Sequence, residues 1–142
     1  MTIMTKLEEV EQKIADNGIS VIEITELNTK SVIIEDENFF IGINGNLIKD
    51  KTDKTIALSH ELGHYNTGGL SLVKLPFVNK SKLERLANLN SVRHLLPAAE
   101  ILEAVHKGRC AVGEIAEEVG LPDEYVDMAI RLYRQSGELP LQ

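Results

Sequence analysis

The sequence predicts an α+β fold in which a small antiparallel sheet packs with an HExxH-bearing helix and further C-terminal helices. Three observations predict it. One helical period opens the chain, three short β-branched or aromatic segments follow, and from residue 55 onward only helical periods occur. Leu7, Val10 and Ile14 recur at helical spacing among charges from Lys6 to about Asp16, and Asn17-Gly18 stops that first helix. Ser20 to Ile24, Ser31 to Glu35 and Phe39 to Ile43 are separated by polar clusters such as Glu35-Asp36-Glu37-Asn38, which read as turns between strands. After Asn44-Gly45-Asn46, a polar stretch leads into a helix from Thr55 that ends near Gly68-Gly69. Ser81 to His94 and Pro97 to Lys107 form two more helices, split by the proline. Val112 to Val119 and Asp123 to Gln135, joined by Gly120-Leu121-Pro122, complete the order.

At 142 residues, 43% hydrophobic and 26% charged, the chain suits one domain over 1–142, with 110–137 as its helix-turn-helix-shaped C-terminal part. A core of that size needs no disulfide or metal staple, so a bound metal would serve function. Lys plus Arg number 15 against 22 Asp plus Glu, a formal charge of -7, and no basic stripe offers itself to phosphates. The hairpin points the same way. Its second helix opens with Asp123, Glu124 and Asp127, so a nucleic-acid partner is not expected. The lone Cys110 cannot form an internal disulfide, the start is charged where a signal peptide would be apolar, and no apolar run approaches the ~20 residues of a membrane helix. The expectation is a cytoplasmic, soluble protein with no membrane partner.

Ser59-His60-Glu61-Leu62-Gly63-His64 is an HExxH sequence inside a helical period. At about 100° per residue the two histidines stand only about 40° apart and one turn along, so both imidazoles reach one ion. Glu61 points about 100° round from His60, beside the ion rather than onto it. Zinc lowers the pKa of bound water towards ~7, and a carboxylate in that place accepts its proton as the oxygen attacks a carbonyl. With 4 His and 16 Glu in the chain, chance supplies about 0.01 such motifs. Gly63 costs ~1 kcal/mol in a helix, so something approaches the backbone there, whether a ligand or a packed neighbour.

A catalytic zinc takes three protein ligands and keeps one open position. His94, His106, Cys110 and the downstream carboxylates are the candidates for the third. Glu84 falls twenty residues after His64 on the next helix, with Asn88 one turn further on the same face, a placement that suits a ligand and a partner orienting a zinc histidine. Ser81-Lys82-Leu83-Glu84 also reads as a capping box, in which Glu84 merely closes the helix start. His94 lies about 80° off the Glu84 face. His106 suits a helix C-terminus, Tyr65 suits packing, and Cys110 lacks a base for nucleophilic work.

The string ALSHELGHY, followed by Glu84-Arg85-Leu86-Ala87-Asn88 and His94-Leu95-Leu96-Pro97, resembles the ImmA/IrrE family of zincin-like metallopeptidases. The family pattern is HExxH, then an ExxA(N/D) helix, then an LLxP or LIP element; the likeness is specific over residues 55 to 97. Where the family often carries an aromatic-Ala pair, this chain has Asn90-Ser91. The resemblance implies a zincin-like fold, one zinc per chain held by His60, His64 and Glu84, Glu61 as the catalytic carboxylate, and Asn88 behind a ligand. It further implies endopeptidase activity on a helix-turn-helix repressor of a phage or mobile genetic element. The alternative is a non-catalytic antagonist that binds the repressor, with zinc structural or absent.

Overall fold

The computed structural model describes residues 3–68, 77 and 79–140. Among these the order is α1 (Lys6–Asp16), β1 (Ser20–Glu23), β2 (Ser31–Asp36), β3 (Asn38–Ile43), α2 (Lys51–Asn66), α3 (Lys80–Leu95), α4 (Ala98–His106), α5 (Val112–Val119) and α6 (Asp123–Ser136). The class is α+β, as expected. The chain forms two compact units, Met1–Ser91 and Val92–Gln142, and α3 runs through their boundary.

In the first unit Thr5 caps α1, its hydroxyl accepting from the Glu8 N–H at 3.1 Å while the Glu8 carboxylate accepts from the Thr5 N–H at 3.0 Å. Val10 and Ile14 of α1, Ile33 of β2, Ile41 of β3 and Leu58 and Leu62 of α2 are buried, and α2 packs against both α1 and β2. Residue 55 is not where α2 begins. Asp50 caps it by accepting from the Asp53 N–H at 2.8 Å, so the polar stretch before Thr55 is already the first helical turn.

The sheet is mixed, which corrects the antiparallel expectation. Its strand order is β1-β3-β2; β2 and β3 pair antiparallel, whereas β1 pairs parallel to β3 with Ser20 opposite Phe40 and Glu23 opposite Ile43. The chain leaves β1, crosses the end of β3 and returns as β2, and Asn44 pins that crossing. Its side-chain amide donates to the carbonyls of Thr25 (3.2 Å) and Leu27 (2.9 Å), its carboxamide oxygen accepts from the Asn46 N–H (3.0 Å), and its own N–H donates to the Lys30 carbonyl (2.9 Å). A buried asparagine with all these partners replaces the strand ladder that a simple meander would supply. The polar cluster expected as a turn is mostly ladder: Asp36 pairs with Asn38, and the chain reverses at Glu37 with φ of 54°.

Lys30 is fixed at the start of β2 by Asp53, whose Oδ1 receives its ammonium at 2.8 Å and whose Oδ2 receives the Lys49 N–H at 2.9 Å. Burial pushes the Asp53 carboxyl up, but the Lys30 hydrogen bond, the Lys49 N–H and both lysine charges outweigh it and hold it below 3.8. A depressed folded-state pKa gives stability that is present above the ordinary carboxylate value and lost as pH falls below it. Thermal midpoints followed from pH 6 down to pH 2 should therefore drop less steeply for Asp53→Asn than for the parent. Equal slopes would refute the linkage.

In the second unit α4 packs on α5 and α5 on α6. Pro97, with ψ of 147°, stands immediately before α4. Gly120 ends α5 in the left-handed region at φ of 72°, where a side chain would be strained, and α6 follows, so the hairpin shape read from the sequence is present. The buried Tyr133 hydroxyl donates to the Leu96 carbonyl at 2.9 Å, and burial raises its pKa. Arg93 holds Glu138 through two hydrogen bonds at 3.0 and 3.2 Å. Glu118 is held by Lys107 at 3.0 Å, and Glu114 reaches back to the Ala111 N–H, so two of the acidic residues of α5 are engaged within the unit. No helix among the described residues is long and apolar enough to cross a membrane.

Candidate metal centre

Helix α2 presents His60 and His64 on one face and Glu61 on the next, while α3 faces it with Glu84, Ala87, Asn88 and Ser91. Two small residues set the distance between these helices. A Cβ on Gly63 would overlap the Ala87 carbonyl oxygen and stand 3.1 Å from its carbon and 3.2 Å from the Ala87 Cα. The neighbour foreseen at Gly63 is therefore the backbone of α3. One turn back, Ser59 and Ser91 share a buried hydrogen bond at 2.9 Å, and at the other end Asn66 donates to Asn90 at 3.1 Å. Asn90-Ser91, the departure from the family pattern, thus supplies two of the polar contacts between α2 and α3.

That spacing brings the donor atoms together. His64 Nε2 lies 2.9 Å from Glu84 Oε1, His60 Nε2 lies 3.1 Å from Glu84 Oε2, and the two Nε2 atoms are 3.2 Å apart. The rings meet edge to face at 90°. His60 Nδ1 is 2.8 Å from Asn88 Oδ1. An amide oxygen only accepts, so Nδ1–H donates to it and Nε2 is the ring nitrogen turned towards the Glu84 carboxylate. A tetrahedral ion with bonds of about 2.0 to 2.1 Å sets its ligand atoms about 3.3 Å apart, close to the spacing here. The residues present fit a zinc ion.

Glu84 is not the cap of α3. Asn79 fills that place, its side-chain oxygen accepting from the Lys82 N–H at 3.2 Å, which leaves the Glu84 carboxylate to the histidines. Its side chain is 55% exposed, against 25% and 15% for His60 and His64, so the cluster is reached from solvent on the Glu84 side. Glu61 is only 5% exposed. Its Oε2 accepts from the Ser31 hydroxyl at 2.7 Å, a partner that the sequence reading missed. Ser31 is in phase with the buried Ile33 on a strand that packs against α2, a pairing of elements that only the fold reveals.

His60, His64 and Glu84 are the three-residue cluster able to hold a metal among the described residues. Of the other candidates for a third ligand, His106 is exposed in the last turn of α4 and Cys110 is exposed. Tyr65 packs edge-on against Phe39, ring centroids 4.9 Å apart.

Two histidines one helical turn apart, a glutamate from a second helix and a further glutamate beside them make a site of the metal-dependent hydrolase class. The family model for Peptidase_M78, the IrrE N-terminal-like domain, matches residues 15–131, and the chain belongs to that ImmA/IrrE family of metallopeptidases. No curated protein and no solved structure gives a significant match.

If Glu84 belongs to the metal set, Glu84→Ala should weaken zinc binding at least ~10-fold while changing stability little, because the cap resides at Asn79. A zinc titration of the variant that overlays the parent would remove Glu84 from the set.

Proposed function

We propose that the protein is a zinc-dependent endopeptidase that cleaves a helix-turn-helix repressor of a phage or mobile genetic element in the cytoplasm. The observation that carries the reading is the convergence of His60 Nε2, His64 Nε2 and the Glu84 carboxylate at separations of 2.9 to 3.2 Å, with Glu61 alongside. His60, His64 and Glu84 hold one zinc per chain, and Asn88 fixes the tautomer and tilt of His60. When bound, that ion polarises a peptide carbonyl and acidifies water. Glu61 takes a proton at Oε1, since Oε2 already accepts from Ser31, and hands it to the leaving amine nitrogen. Burial keeps that carboxylate in one orientation rather than in exchange with bulk water.

Family membership supports peptide hydrolysis; the repressor substrate is our extension of it. The acidic first turn of α6, Asp123 and Glu124, supports a packing or partner-docking use of the hairpin over DNA contact. The test is a gel. Zinc-loaded protein incubated with the helix-turn-helix repressor encoded nearest its gene should release two fragments, and a chelator should abolish them. Intact repressor under zinc, with the reporter nonetheless derepressed, would reject cleavage in favour of antagonism by binding.

A further inference from the structure

We infer that Ser31 is the positioning residue for Glu61, holding one carboxylate oxygen from the edge strand β2 so that the other is aimed at the reacting water; this rests on the peptidase reading above. The hydroxyl has one proton and two acceptors near it, Glu61 Oε2 at 2.7 Å and the Ala57 carbonyl at 3.5 Å. The shorter, charge-assisted bond takes it. Glu61 is buried, and a carboxylate so enclosed requires a donor to remain in place.

Ser31 is itself held from several directions. Its carbonyl accepts from the Thr29 hydroxyl at 3.0 Å, it pairs with Ile43 in the ladder, and the preceding Lys30 is tied to Asp53 by its ammonium and to Asn44 by its carbonyl. Those anchors hold the backbone at the strand start, and the bond to Glu61 Oε2 selects the rotamer of the hydroxyl. Fixing a proton acceptor within a few tenths of an ångström is where such a contact gains its effect on rate.

The experiment pairs a rate with a measurement that needs no turnover. With zinc-loaded chain and fluorescein-labelled casein as the probe, Ser31→Ala should lower kcat about 10-fold with KM within twofold and zinc content at the parental value. Ser31→Thr, which keeps the hydroxyl, should recover most of kcat. Separately, thermal midpoints of the parent, Ser31→Ala, Glu61→Ala and the double variant should be non-additive by about 3 °C or more, as a direct bond requires. Additive midpoints, or a parental kcat in Ser31→Ala, would overturn the inference. A parent inert towards casein and repressor alike, with coupled midpoints, would sink the peptidase reading and leave the Ser31 to Glu61 clamp standing.

Discussion

Glu61→Gln should lower repressor cleavage by at least ~10²-fold and leave zinc content unchanged. The substitution keeps the side chain's length and still offers Ser31 an amide oxygen at 2.7 Å range, so the local packing survives. What disappears is the atom that takes a proton, and losing positioned acid-base help costs about 10² to 10⁴ in rate. The donor atoms sit on His60, His64 and Glu84, which the change does not touch. Repressor binding should persist and the complex should become easier to trap. Derepression by the variant at the parental level, with no fragments from either protein, is the result that would reject catalysis.

Gly63→Ala should reach both stability and metal binding through one methyl group. Alanine favours a helix by about 1 kcal/mol over glycine, but here its Cβ meets a backbone carbonyl that has no rotamer to escape into. Overpacking of that kind costs about 1–3 kcal/mol, so the melting midpoint should fall by about 3–8 °C. Separating α2 from α3 also withdraws Glu84 and Asn88 from the histidines, and zinc affinity should drop ~10-fold or more. Gly113→Ala is the control. Its Cβ would find only Asp123 Oδ2 at 3.7 Å, so that variant should be as stable as the parent or slightly more so. Parental midpoint and affinity in Gly63→Ala would show that the helix contact is softer than the geometry implies.

The parts of the site that could be read in the sequence are those set by helical geometry alone. His60, Glu61 and His64 are related by a fixed rise and rotation, and Glu84 and Asn88 by one turn, so spacing was enough to place each group on a face. Which helix start Glu84 belonged to was ambiguous, because Asn79 and Ser81 are both good caps two residues apart; only the hydrogen bond from Lys82 separates them. The start of α2 was misplaced since a cap looks like any other polar residue until its N–H partner is known. Ser31 and the parallel pairing of β1 lay further out of reach. Each joins residues 20 or more apart in the chain, and no periodicity records which strand becomes whose neighbour.

The order β1-β3-β2 also separates a local pairing from a distant one, and loop-closure entropy favours the local one first. β2 and β3 are separated by a single residue and can zip from Glu37 outward almost as soon as both emerge. β1 must wait, because its pairing edge is supplied by a strand made later, and closing the intervening loop has to be met before any ladder bond returns it. Loop closure therefore favours the hairpin as the template for β1, and Asn44 gathers the carbonyls of the crossing that joins them. Ser31 thus belongs to the part of the sheet with the shortest loop to close, whereas its bond to Glu61 joins residues farther apart than the β1 pairing does.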